Sequence, residues 1–589
     1  MIKKIMLPLA IIIIYLSAFL LNTKPVTLPE LPKQSSVLLM PLDSRPVCST
    51  MVQKLGQLAG INVIVPPKEL LDNYQEPADK EKLWQWLQNN AGAYDSSIIS
   101  ADILLHGSLL RTRQHVATAV EQDEFFKELE KLPHTPQLSL FSVIPRLLVS
   151  DEIYPDCWYQ WHLMRFSQLL DMVQINGDYA MTKELLEYEE EIPAEILKKY
   201  TSIFTQSQGF NERLLAYLLQ KTKNSKNMAN TQVKAEAATN APLVIIGQDD
   251  SSPFGLPNIT ATNLEQKIHT YQLNKNSQLT CGADEIAALL LTCRYLQQKR
   301  WQPKIFLQFA TPGAEFKHMP YMADSTGACL RNQIELIGAK LTSTKNNADI
   351  IVFVHCGDDN AKPTASEARE LKHLLASGKQ VALIDLSANF EAEEMLLPEL
   401  LKQAAPVNQL AAYAGWNTFS NSSGTALAQS VIFAGRLREL EQREAAQSFT
   451  GDAKQTKEQQ APTEHGNSAA IASLYAANLN FTIERMLEDY YYQKRIHPEL
   501  RPYLESFGTT PTDLEPEEKQ QTEYRIQERI ALYADLLFWR SLSRTPFYTD
   551  THHSYYLTDL TVGAKLPWNR IFEVDLNVHS KFSCRPIQH

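Results

Sequence analysis

Several short signatures of common chemistries are missing from this sequence. There is no P-loop, no GxGxxG at a strand–helix junction, no HExxH and no GxSxG. These absences set aside NTPases, dinucleotide oxidoreductases, zincins and the usual serine esterases, and no cofactor is expected. The cysteines are few, seven in 589 residues, and no two stand as CxxC, which argues against a structural zinc cluster and against a disulfide scaffold. An odd count leaves at least one thiol free; one or two disulfides are allowed. An excess of basic charge is also missing. Lysine plus arginine number 56 against 67 aspartate plus glutamate, a net charge of −11, so no nucleic-acid partner is expected. No internal repeat of solenoid period occurs.

Long apolar runs are absent too, with one exception. Lys3 and Lys4 precede a 17-residue run from Ile5 to Leu21. A charged start followed by such a run reads as a signal peptide or a signal anchor over residues 1–24, with the body exported and the membrane touched through this segment only. Residues 25–36 then read as a short stalk.

The body has ordinary globular composition, 44% apolar and 21% charged. Short runs rich in Val, Ile and Leu recur: Ser36–Met40, Ile61–Val65, Ser97–Leu105, Leu138–Ile144, Leu243–Ile246, Ile305–Phe309, Ile350–His355, Val381–Leu386 and Leu410–Tyr413. Amphipathic stretches lie between most of them. Continuous apolar strands alternating with helices specify an α/β fold with a mostly parallel sheet covered on both faces. The strand count fits either a (β/α)8-barrel-like arrangement or two doubly wound halves. The reading therefore places an α/β core at 37–440, with a polar insertion at 221–241, a polar linker at 441–469 and a helical C-terminal region with a terminal strand at 470–589.

Polar residues gather just after the strands, where parallel α/β folds bind ligands. The first strand ends in PLDSRP, giving Asp43 and Arg45 as substrate-binding candidates. The run around Ser97–Leu105 carries Asp102 and His106, followed by Arg111 and Arg113, with Asp102 expected to pair with an arginine of its own loop. VIPR delivers Arg146. GQDDSSPFG places Asp249 and Asp250 side by side, where mutual repulsion should raise one pKa and so suit a general acid. Gly282-Ala283-Asp284-Glu285 opens a helix, and acids there complement the helix dipole. His355 leads into Asp358 and Asp359, and Asp385 sits near another strand end. Trp416 and Asn417 suit a sugar, the indole over an apolar face and the amide on hydroxyls.

In order along the chain, PLDSRP (41–46), SADILLHGSLLRTR (100–113), VIPR (143–146), GQDDSSPFG (247–255), GADE (282–285) and AGWNT with NSSGTA (414–426) resemble the bacterial family DUF4127. Ser108 stands where that pattern leads one to expect a second glycine. The resemblance implies no activity and no catalytic residue. The residues themselves favour an exported glycoside hydrolase acting on cell-envelope or environmental carbohydrate, with Asp249 and Asp250 catalytic and Asp43, Arg45, Asp102, Arg146, Trp416 and Asn417 binding substrate. The alternatives are a non-catalytic envelope protein that binds carbohydrate or protein, and a metal-assisted hydrolase using His106, His355 and acids from Asp43, Asp102 or Asp358.

Overall fold

The computed structural model describes residues 24–133, 137–149, 157–228, 242–357, 362–450 and 464–587. A short strand, β1 (Lys24–Val26), comes first. Strands β2 (Ser35–Met40), β3 (Ile61–Ile64), β4 (Ser96–Ser100), β5 (Leu138–Ile144), β6 (Leu243–Gln248) and β7 (Ser277–Cys281) then form an all-parallel sheet in the order β3-β2-β4-β5-β6-β7. A second parallel sheet follows from β8 (Lys304–Phe309), β9 (Lys340–Leu341), β10 (Ile350–Cys356), β11 (Gln380–Leu386) and β12 (Ala412–Ala414), in the order β9-β8-β10-β11-β12. In both sheets the second strand lies on one side of the first and the third on the other. Each therefore has a switch point, between β2 and β4 and between β8 and β10, with a crevice at the carboxyl edge. The fold is thus two doubly wound halves rather than a barrel.

The central strands form because their residues are apolar on both faces: every residue of β5 and of β10 is buried. Helices with good start signals cover the outer faces. Thr118 with Glu121, and Thr364 with Glu367, make reciprocal capping boxes. Between the two sheets run the buried helix Ile286–Lys299 and the first half of the long helix Phe419–Thr450. Ile245 and Val37 of the first sheet, Leu289 and Ile432 of these helices, and Val352 and Ile384 of the second sheet belong to one apolar cluster. The halves therefore share a core.

The C-terminal region is a third layer on the outer face of the second sheet. A continuous helical rod, Glu464–Arg485, a π-helical stretch Met486–Ile496, and His497–Glu505, packs there with the helix Pro516–Leu537. Strands β13 (Tyr548–Thr549), β14 (His553–Lys565) and β15 (Asp575–Pro586) pair antiparallel beside it, and β1 adds to β15 in the order β1-β15-β14-β13.

Several expectations need correction. The run expected as one strand over Ser97–Leu105 ends at Ser100, and Ala101–His106 is a helix, so Asp102 sits in a first helical turn. The stalk at 25–36 is partly β structure, since Lys24–Val26 pairs with β15 and Ser35 begins β2. Residues 221–228 close the helix Ala194–Met228, and 441–450 and 464–469 continue helices, so both polar segments are in part helical. The remainders, 229–241 and 451–463, lie outside the described residues, as does the N-terminal run. The expected single terminal strand is a long hairpin. Among the described residues no helix is long and apolar enough to cross a membrane.

Candidate functional site

The loop after β2 turns on itself through an ion pair. Arg45 Nε donates to both Asp43 carboxylate oxygens at 3.0 and 2.9 Å, and its Nη2 donates at 2.7 Å. The other edge of the same guanidinium grips Asp284, just before the helix Ile286–Lys299, at 2.6 and 3.2 Å. Burial costs Arg45 charge stabilisation, yet Asp284 and Asp43 more than offset it and hold its pKa well above the ordinary value. Burial raises Asp284 to about 6, against the pull of Arg45. Asp43, Cys48 and Asp284 lie close enough together to share a metal ion. The Arg45 guanidinium is already bonded to both carboxylates, so positive charge is supplied there by the chain itself.

The loops after β5 and β6 are tied to each other. Asp249 N–H donates to Ile144 O at 3.1 Å, and Leu147 N–H donates to Asp250 O at 2.8 Å. Gly247 is required at this junction: a Cβ would lie 2.5 Å from the Gly282 carbonyl oxygen. Asp249 receives the Arg113 guanidinium at 2.6 Å and the Asp250 amide at 2.9 Å. Asp250 stands 3.7 Å from Arg146. Burial pushes both acids up. For Asp249 the Arg113 and Arg146 charges win and hold it below the usual carboxylate range. For Asp250 the neighbouring Asp249 adds to burial, and its pKa is raised. An ionised acid thus sits next to one inclined to keep its proton, the divergence that suits acid–base work.

These loops face one cavity of about 530 Å³, which carries the side chains of Arg45, Arg113, Arg146, Asp249, Asp250 and Asp284. The second half contributes Tyr321, Phe390, Asn417 and Ser420. Three of these, Tyr321, Phe390 and Asn417, hold left-handed backbone at φ 64°, 62° and 53°. Such conformations cost roughly 1–3 kcal/mol each outside glycine and cluster at functional sites. The Tyr321 carbonyl accepts the Ser251 N–H at 3.0 Å, which fixes it to the Asp249–Asp250 loop. The C-terminal region completes the walls with Gln493, Lys494, His497, Arg501, Arg570 and Phe572. Burial drives His497 down to about 4, helped by Arg501 and Lys494, so its imidazole is neutral. Trp568 donates its indole N–H to Ser44 Oγ at 2.8 Å, and Arg570 stacks on that ring at 4.8 Å while pairing with Glu573.

Of the residues singled out from sequence, Asp249, Asp250, Arg45, Arg146 and Asn417 line this cavity. Asp43 is buried behind Arg45. Asp102 is not in the lining. It is buried, takes the Ser142 hydroxyl at 3.3 Å, and burial lifts it to about 7. No arginine of its own loop pairs with it: Arg113 goes to Asp249 and Arg111 to Gln114. Trp416 is buried and meets Phe572 edge-on, so it backs the cavity wall and offers no open face to a sugar. The metal-assisted arrangement is not assembled. The His106 ring faces His115 at 3.2 Å on the first half, while His355 contacts the Glu394 carbonyl oxygen at 2.8 Å on the second; Asp358 lies outside the described residues. Asp385 is a structural acid, accepting the Leu396 and Leu397 amides.

Sequence reasoning missed Asp284, Lys494, His497, Arg501 and Arg570 as cavity residues. Asp284 has the ordinary signature of a first-turn acid, Lys494, His497 and Arg501 lie in a helical tract, and Arg570 lies in the loop of the C-terminal hairpin rather than after a strand of either parallel sheet.

Fold and site together define an α/β protein of two parallel sheets whose carboxyl edges, roofed by a C-terminal region, enclose one arginine-rich acidic cavity. The chain belongs to the DUF4127 family, described as a protein of unknown function, whose profile matches residues 37–577. No curated protein matches it.

Proposed function

We propose that the cavity is the active site of an exported glycoside hydrolase, with Asp250 as general acid. The observation that carries this reading is the Asp249–Asp250 pair on the cavity wall, one carboxylate held ionised by Arg113 and the other raised. In this role Asp250 delivers its proton to the leaving glycosidic oxygen. Asp249 orients the pair and keeps the Asp250 pKa high. Asp284, also raised and on the same wall, is the partner carboxylate that activates water or attacks the sugar. Arg45 and Asn417 meet hydroxyls. Export is supported by the Lys3-Lys4 start with its apolar run and by a Cys281–Cys329 disulfide, which an oxidising compartment favours.

The test is reducing-end release from a panel of envelope and plant glycans by the wild type, Asp250→Asn and Asp284→Asn. Loss of a general acid should cost roughly 10²–10⁴ in rate. Full activity in Asp250→Asn removes the assignment. A second reading, a non-catalytic glycan-binding protein, is favoured by one feature: Asp43, Asp249 and Asp284 are all engaged by arginines. Tight glycan binding without bond cleavage across the panel would select it.

A further inference from the structure

Most charged groups on the cavity wall already have a partner of opposite sign. Arg45 has Asp43 and Asp284, Arg113 has Asp249, and Arg570 has Glu573. Lys494 differs. It is 8% exposed and lines the cavity, yet among the described residues no acceptor atom lies within hydrogen-bond or ion-pair reach of its ammonium. The ammonium stands over the Phe390 ring, 4.9 Å from its centroid. A buried ammonium without an acceptor is costly unless something else supplies the anion. The acids around it, Asp489 first, with Asp385, Glu391 and Glu394, act only at longer range. Burial lowers its pKa to about 8, so the group still carries its charge at neutral pH.

The setting of Lys494 is built. It lies on the π-helical stretch Met486–Ile496, a rare geometry that tends to mark functional sites. His497 and Arg501 follow on the same rod and line the same cavity, Arg501 half exposed with Glu505 at 3.7 Å. Across the space, Arg146 has a buried Nε with no partner among the described residues, and the carboxylate within ion-pair reach of its guanidinium is Asp250 at 3.7 Å. Phe390 and Tyr321, 6.0 Å apart and both on left-handed backbone, stand at the lining beside Lys494. An ammonium without an acceptor and a guanidinium with an unpartnered Nε, next to aromatic faces, match a ring-shaped ligand that bears a negative group.

We propose that Lys494, with Arg146 and Arg501, forms an anion subsite in the cavity that binds a carboxylate, sulfate or phosphate group of the substrate. This rests on the carbohydrate reading of the cavity for the ring that carries the anion, and makes the substrate an acidic sugar polymer.

Binding is measured by calorimetry at fixed ionic strength on the full chain with Asp250→Asn, which keeps bound glycans intact. The probes are uronic-acid oligosaccharides, the same oligosaccharides after carboxyl reduction, and inorganic phosphate. The acidic oligosaccharide should bind at least ten-fold more tightly than its reduced form. Lys494→Met should remove that preference, a loss of about 10–100-fold, as expected for a hydrogen bond to a charged group. Lys494→Arg should retain most of it, which separates lost charge from lost packing. Thermal melts accompany each variant, and Lys494→Gln, which removes the charge but keeps a polar tip, stands in if Lys494→Met fails to fold. Equal affinity for acidic and reduced probes, or a preference that survives Lys494→Met, overturns the subsite. So does an absence of binding by both the acidic probe and phosphate. Phosphate binding that Lys494→Met abolishes, with neither glycan bound, sustains the subsite and instead removes the carbohydrate reading.

Discussion

At the scale of single residues, adjacent aspartates of one loop have unequal work. Asp249 is the counter-ion of the buried Arg113, whereas Asp250 meets a guanidinium only at 3.7 Å. Asp249→Asn should therefore destabilise the protein by about 3–5 kcal/mol, because it leaves a buried cation without its charge partner. Asp250→Asn relieves a like-charge repulsion and should stay within about 1 kcal/mol of the wild type; urea midpoints of the two variants give the comparison. Asp102 gives a pH signature of its own. Its folded pKa is raised from 3.8 to about 7. Between these values the folded state holds a proton that the unfolded chain has released, so this group's contribution falls as pH rises and is lowest above 7. Asp102→Asn carries no such penalty. Its stability relative to the wild type should be unchanged near pH 4 and better by on the order of 1–3 kcal/mol at pH 8. Urea titrations at both pH values check this; a constant difference would count against it.

At the scale of elements, what was legible follows from burial. Strands buried on both faces, such as β5 and β10, announce themselves as apolar runs, and the acids and arginines following them fall at the carboxyl edge. Strand β7 reads SQLTC, is only partly buried at the sheet edge, and carries no such run. The helix at Ala101–His106 hides because all its residues are buried, and Ile103, Leu104 and Leu105 continue the apolar run of β4 with no helical period. Lys494 was illegible for a different reason: its importance comes from a fold-back of the C-terminal rod over loops hundreds of residues earlier. The disulfide was equally silent, since spacing alone does not choose partners. It joins the end of β7 to the helix Thr326–Ile337 across a sequence separation of 48. Closing a loop of that size is worth roughly 2–4 kcal/mol. Reduction, or Cys281→Ser with Cys329→Ser, should lower the urea midpoint accordingly, and alkylation before and after reduction should differ at these two positions.

At the scale of the molecule, the cavity draws on residues from Arg45 to Phe572, so no shorter piece of the chain contains it. The tail reaches back to the first sheet as well as the second: Lys54 pairs with Glu484 and donates to the Leu576 carbonyl, and Trp568 bonds Ser44. Residues on both sides of 440 thus build the one cavity. The edge strand β1 carries a further consequence. Lys24, Pro25 and Val26 lie opposite Cys584, Ser583 and Phe582, so the two ends of the described fold emerge side by side. The backbone is therefore nearly a closed ring, and the order in which it is read is separable from its shape. A circular permutant with Lys24 joined to Ile587 by a short glycine–serine bridge, and new ends opened within 451–463, should fold to the same far-UV spectrum. Hydrogen exchange in such a ring should be slowed at β1, which is then tied to β15 through the bridge as well as through the sheet.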